Sequence, residues 1–166
     1  MNKIVDLLND NNVKYDLVEH PPVYTSEEAD KYVEGLDVIK AKNLFLKDKY
    51  NYFLVMLPDD KRLNLKLLAD KLETKRLRFA NEEHLEQKLG ITSGAVSPFN
   101  LINNQENDVM LVIDKVIVAA NKNIVCHPND NTKSLILSVK DLLKVVDKLD
   151  NKVKIINLSE VNDDVD

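Results

Sequence analysis

The chain has 166 residues, 44% of them hydrophobic, enough for one domain with a real core. Its net charge of −5 argues against nonspecific binding of DNA or RNA over a broad face, and leaves room for a local basic groove. One cysteine, Cys126, rules out an internal disulfide and a cysteine-based zinc site. No apolar run is long enough for a membrane span, and Met1-Asn-Lys-Ile-Val-Asp6 does not read as a signal peptide. These features imply a cytoplasmic single-domain protein.

Ile4, Val5, Leu7 and Leu8 line one face of a short helix closed by Asn11-Asn12. Val13, Tyr15 and Leu17 alternate with polar residues as in a strand, which His20-Pro-Pro22 breaks. Thr25-Ser-Glu-Glu28 has capping-box spacing and starts a helix ending near Gly35. Val38 to Lys47 and Tyr50 to Leu57 read as an antiparallel hairpin. Asn64 caps a helix bearing Leu67, Leu68 and Leu72, Leu77 to Phe79 is a short strand, and Asn81 caps a helix through Leu89. Further strands are expected at Val109–Ile113, Ile124–His127, Leu135–Leu137 and Val153–Ile156, with a helix capped by Ser138 before the last of them. Residues 159–166 form an acidic tail poor in apolar groups, expected to be disordered. The pattern predicts a mixed α/β domain over residues 1–158, its mixed, mostly antiparallel sheet flanked by helices.

The segment Leu89-Gly-Ile-Thr-Ser-Gly-Ala-Val-Ser-Pro-Phe99 stands out, because two of the chain's three glycines fall within five residues. Gly90 can end a helix in a left-handed conformation, and Pro98 pushes Ser97 toward extended angles. Between Gly94 and Pro98 lies a constrained loop of small residues, with backbone groups expected near the surface and open to a ligand. An ordinary helix-to-strand connection is the other reading.

Lys42, in Ala41-Lys-Asn-Leu-Phe-Leu46, shares a strand face with Leu44 and Leu46. It is either a functional lysine or a strand-end lysine whose stem packs while its head reaches water. His127 ends a strand before Pro128-Asn-Asp-Asn131 and reads alone as a capping or satisfied histidine. Alternation separates it from Cys126, which is expected in the core rather than as a nucleophile. His20 and His84 have no metal-ligand spacing, so no metal is expected. Lys75, Arg76 and Arg78 form the densest basic cluster: a solvated face, or a place to touch phosphates. Alternation pairs Lys75 with Leu77 on one face, and Arg76 with Arg78 on the other. No phosphate-binding glycine loop and no serine-hydrolase motif is present.

His20-Pro-Pro-Val-Tyr-Thr25, Ala41-Lys-Asn-Leu-Phe-Leu46, the Leu89 to Phe99 segment and His127-Pro-Asn-Asp-Asn131 occur in this order. Together they resemble the YbaK/ProRS-associated editing domains, closest to the free-standing ProXp-ala (PrdX-type) deacylases. The resemblance runs from about Ile4 to Leu149. It implies hydrolysis of alanine wrongly esterified to proline tRNA, without metal or other cofactor, with prolyl-tRNA synthetase as a partner. It implies that Lys42 is the essential lysine, that Gly94, Ala95, Val96, Ser97 and Pro98 are the Gly-x-x-x-Pro loop, that His127 is the pocket histidine, and that Asn131 is a binding asparagine. Lys75, Arg76 and Arg78 would touch the tRNA. Asn64 stands where relatives often have aspartate, and Ser93 where they often have proline. The alternatives are the YbaK-type activity on cysteinyl-tRNA(Pro), and a non-catalytic module that binds or senses the tRNA end. A general DNA- or RNA-binding domain is disfavoured, since no basic face carries interleaved aromatics.

Overall fold

The computed structural model describes residues 3–92 and 95–158; the expectations for Gly94 and for the 159–166 tail lie outside the described residues. Helix α1 (Lys3–Asp10) buries Ile4 and Leu8, one turn apart, and Asn11 closes it by donating from Nδ2 to the Leu7 carbonyl. After β1 (Asp16–Glu19) comes α2 (Ser26–Asp30), whose cap is the expected Thr25, and it runs into a 3-10 turn at Lys31–Val33. Then follow β2 (Val38–Ile39), β3 (Ala41–Lys47) and β4 (Tyr52–Pro58). Asn64 caps α3 (Leu65–Lys71), so the amide at this position does the capping work an aspartate would do. The short strand β5 (Arg78–Phe79) precedes α4 (Glu82–His84), which is capped by Asn81 and continues as a π-helical turn to Leu89. The chain ends with β6 (Val109–Asp114), α5 (Lys115–Ala120), β7 (Asn123–Cys126), β8 (Lys133–Ser138), α6 (Val139–Asp147) and β9 (Val153–Ile156).

The strands divide between two sheets, ordered β1-β8-β7-β2 and β5-β3-β4-β6-β9. The β2–β7, β4–β6 and β6–β9 ladders are parallel and the others antiparallel, in keeping with the expected mixed α/β class. One expected strand, Val38 to Lys47, is two. At Lys40 the chain leaves the first sheet for the second, and the Lys40 carbonyl accepts the Asp59 amide instead of a strand partner.

Both faces of the larger sheet are covered, which explains why β4 is apolar without a break. Leu54 and Met56 join Leu111, Ile113, Ile124 and Leu135 in a core that takes residues from both sheets and from α6. Phe53, Val55 and Leu57 point the other way, against Leu68 of α3.

Helix α2 is held over one end of this sheet by an unusual pair. The Asp30 carboxyl shares a hydrogen bond with Asp59 in the turn after β4. Burial, then that bond and the repulsion of Asp59, push Asp30 up to about 7, with Lys40 opposing and Glu27 adding to the rise. A carboxyl raised in the fold favours the protonated folded state. That contribution is complete below the ordinary value of 3.8 and is lost as pH rises to about 7. Asp30→Asn, which keeps the shape and cannot ionise, is therefore expected to raise the melting temperature at pH 8 and to leave it unchanged near pH 4. Thermal unfolding at the two pH values checks this.

Candidate functional site

The loop before Pro98 meets the segment after β7 through one serine. Ser97 has φ −159° and ψ 164°, the extended geometry that a following proline favours, and Pro98 begins a 3-10 helix to Asn103. The Ser97 hydroxyl donates to the His127 carbonyl (2.7 Å) and accepts the Phe99 amide (3.2 Å). The Ser97 amide donates to Asn100 Oδ1 (2.7 Å), completing a reciprocal cap. Asn100 Nδ2 then donates to the Ala95 carbonyl (3.1 Å) and to Oδ1 of Asn129 (2.6 Å), a residue held in the left-handed region at φ 60°. Gly90 ends the preceding helix at φ +64°, as expected, with the Asn103 side chain 3.1 Å from where a Cβ would stand.

These bonds alter the expectation of an open, ligand-facing backbone. Ser97 and Pro98 are buried, as is Ala95. The Ala95 amide already donates to the Thr92 carbonyl (3.1 Å), the Ser97 amide is taken by Asn100, and Pro98 has none. Among the described residues of the loop, Val96 alone has an amide with no hydrogen bond to another described residue. It lines an open cavity of about 460 Å³ that also holds Asn43, Phe45 and Phe79.

His127 follows β7. Its Nδ1–H donates to the Lys133 carbonyl (2.9 Å), which leaves Nε2 with its lone pair. Burial, aided by the nearby His20, lowers its pKa from 6.5 against the opposing effects of the Lys133 carbonyl and Asp130. The ring is thus neutral at pH 7, fixed in one tautomer. His20 is buried between the Pro21 carbonyl on Nδ1 (2.9 Å) and the Ser134 hydroxyl on Nε2 (2.9 Å), and meets His127 edge-on at 6.4 Å between centroids. Asn131 clamps the His20–Val23 segment: its Nδ2 donates to the Val23 carbonyl (3.0 Å), and its own carbonyl accepts the Val23 amide (3.1 Å). It lines a cavity of about 770 Å³ together with Ala95 and Asn129. Cys126 is buried and its thiol is pushed up to about 12, so it is core, as alternation implied.

Lys42 is half-buried and paired opposite Leu57, on the face of Leu44 and Leu46 as expected. No hydrogen bond or ion pair joins it to the loop or to His127 among the described residues. Lys42 lies three residues beyond Ile39 and His127 three beyond Ile124, and Ile39 and Ile124 are register partners in the parallel β2–β7 ladder. Beyond that ladder the two part: Lys42 lies on β3 of the larger sheet, and His127 lies just past β7 of the smaller one.

The basic cluster is built differently from a regular strand. Lys75 and Arg76 lie in a turn with Arg76 left-handed at φ 56°, so strand alternation does not apply to them. They line a separate surface cavity with Lys66 and Asp70 of α3. Arg78 is exposed on β5. Among the described residues, no group of three or more His, Cys, Asp or Glu side chains could hold a metal ion, and no helix is long and apolar enough to cross a membrane.

The two-sheet arrangement recurs in solved structures. One, described as a candidate trans-editing enzyme for prolyl tRNA synthetase, superposes with a TM-score of 0.71 at 19% identity, covering 95% of each chain. At that identity the likeness defines the fold alone. The family model for the aminoacyl-tRNA editing domain matches residues 20–145, a span that contains Lys42, the loop, His127 and Asn131. The chain belongs to the aminoacyl-tRNA editing domain family. It is 40% identical over 158 residues to the prolyl-tRNA editing protein ProX of Acetoanaerobium sticklandii, covering 93% of this chain and 95% of that one. It is 35% identical over 139 residues to prolyl-tRNA synthetase associated domain-containing protein 1 of Danio rerio, covering 82% of this chain and 76% of the relative.

Ser97→Ala removes a buried donor to His127 and the cap of the 3-10 helix. It is expected to cost roughly 1–3 kcal/mol of stability, because the His127 carbonyl is left without its donor. Urea unfolding of the two proteins measures it; a change within error would mean that the hydroxyl carries no strain-free bond in solution.

Proposed function

We propose that this protein is a trans-editing deacylase that hydrolyses the ester of alanine misattached to proline tRNA. The observation that carries the reading is the Ser97–His127 bond. That bond ties the segment carrying the Val96 amide, which has no partner among the described residues, to the segment carrying the neutral imidazole.

In this reading Lys42 binds a phosphate or ribose oxygen of the tRNA end and brings the ester within reach. Its four-carbon stem starts near the beginning of β3 and is half-buried, so the ammonium need not stay on the apolar face where the stem begins. The Val96 amide, with the glycine of the same loop, donates to the ester carbonyl oxygen and stabilises the oxyanion as it forms. His127 Nε2 accepts a hydrogen bond from the ribose hydroxyl beside the ester, and that hydroxyl orients the attacking water. Water adds to the carbonyl carbon, the bond to the ribose oxygen breaks, and that oxygen takes the proton. Free alanine and intact tRNA leave. No protein nucleophile is required, in keeping with the buried, high-pKa Cys126.

In this reading the cavity that Ala95 and Asn131 line, separate from the one that Val96 lines, takes the amino-acid side chain. A rigid wall there rejects proline by size, which lets an editing site pass a smaller residue that a synthetic site cannot exclude. Lys75, Arg76 and Arg78 offer positive charge to the acceptor stem, and prolyl-tRNA synthetase is the natural source of the mischarged substrate. Residues 1–158 act as one editing domain, in the cytoplasm where the tRNA is charged.

Deacylation of alanyl-, cysteinyl- and prolyl-tRNA(Pro) tests this. Loss of alanine alone is expected, slowed at least about 100-fold in Lys42→Ala. Preferential loss of cysteine would move the protein to the YbaK-type specificity, and tRNA binding without hydrolysis would make it a sensor. Because the His127 pKa is lowered from 6.5, the neutral form predominates at pH 7, and the rate is expected to fall along an acid limb whose midpoint lies below pH 6.5 as the ring gains a proton. That acid limb should be absent from His127→Gln. A rate–pH profile of both proteins decides it.

A further inference from the structure

Three rings run outward from the site. The His127 imidazole meets His20 edge-on, at 6.4 Å and 78°. His20 stacks on Tyr32, at 4.7 Å and 22°. Tyr32 is 41% exposed, a large side chain with one face committed and the other open to water. Its backbone is not loose. It sits in the 3-10 turn after α2, where the next residue, Val33, is buried, and α2 is held down through the Asp30–Asp59 pair. His20 is equally fixed by Pro21, by Ser134 and by its amide bond to the Thr132 carbonyl (2.9 Å).

A tyrosine that only filled a gap would bury its ring or bond its hydroxyl. This one does neither, since its hydroxyl has no partner among the described residues. It presents a flat π-face on a rigid support, two ring contacts from the neutral histidine. Any base has a matching π-face, and stacking on an aromatic side chain is tolerant of base identity. An aminoacyl ester sits on the terminal adenosine, so a purine ring necessarily lies within one nucleoside of the ester carbon. We infer that the open face of Tyr32 is the stacking platform for the terminal adenine of the tRNA. The inference rests on the aminoacyl-tRNA reading of the site and adds the subsite that holds the base.

The platform acts on binding rather than on bond breaking. Tyr32→Leu keeps apolar volume and removes the π-face, so it is expected to raise KM for alanyl-tRNA(Pro) roughly ten-fold with kcat unchanged. Tyr32→Phe should behave as wild type. Tyr50→Leu is the control, since Tyr50 is 79% exposed in the hairpin turn at the far end of β3.

The direct readout is independent of catalysis. Uncharged tRNA(Pro) carrying 2-aminopurine in place of the terminal adenine should lose fluorescence on binding wild type, Tyr32→Phe and Tyr50→Leu, and keep it with Tyr32→Leu. If Tyr32→Leu does not fold, the wild-type signal carries the test: binding without quenching overturns the platform. An unchanged KM in a folded Tyr32→Leu also overturns it. The two readings fail separately. Hydrolysis without quenching leaves the deacylase and removes the platform, whereas quenching without hydrolysis leaves the platform and removes the deacylase.

Discussion

The bond from the Ser97 hydroxyl to the His127 carbonyl joins two segments thirty residues apart in the chain. Almost every other feature of the site follows from what that serine must do. To reach His127 it has to be extended, which Pro98 enforces, and to be buried without cost it has to satisfy its own amide, which Asn100 does. Asn100 in turn holds Ala95 and Asn129, so one small polar network fixes the loop against the turn that follows β7. A buried network of this kind stabilises a unique arrangement only when every member is paired, and here Val96 is the one described loop amide with no partner among the described residues.

The same economy governs the histidines. His127 gives its one proton to a backbone carbonyl, and burial keeps a second from binding at neutral pH. His20, held from both ring nitrogens, supports it from the side. The result is a site whose polar atoms are oriented in advance, so little reorganisation is needed when charge develops on a substrate oxygen. Hydrolysis of an activated ester asks for no more than this: donors placed for the oxyanion, a positive group to seat the nucleic acid, and water.

Much of this was legible in the chain itself. Thr25, Asn64, Asn81 and Ser138 all cap helices, because capping depends on residue type and local spacing. Gly90 and Pro98 mark the loop for equally local reasons. What escaped was set by distance or by competition. The break at Lys40 follows from the division into two sheets, and no local signal separates Val38-Ile39 from Ala41. Helix α5 was not expected, since Val109 to Ala120 is nearly continuous in apolar residues and only the Asp114 cap marks the change of period. The 3-10 helix at Pro98–Asn103 is too short to show a period. Which loop amides are spent depends on Thr92 and Asn100 side by side with the fold, and the roles of His20, Tyr32 and Asn129 rest on partners far away in sequence. Lys42 and His127 were singled out by residue pattern; that one lies on β3 of the larger sheet and the other just past β7 of the smaller is visible only in three dimensions.

The central claim is that the Ser97–His127 tie leaves the Val96 amide as the described loop donor for the substrate carbonyl. Amide-resolved NMR of the 15N-labelled protein, titrated with a stable 3′-alanylamide of adenosine, tests it most directly. The account predicts a downfield shift of the Val96 amide proton as it gains an acceptor, with Ala95 and Ser97 nearly unmoved because their protons are already bonded. Saturable binding that shifts Ala95 or Ser97 and leaves Val96 in place would contradict it.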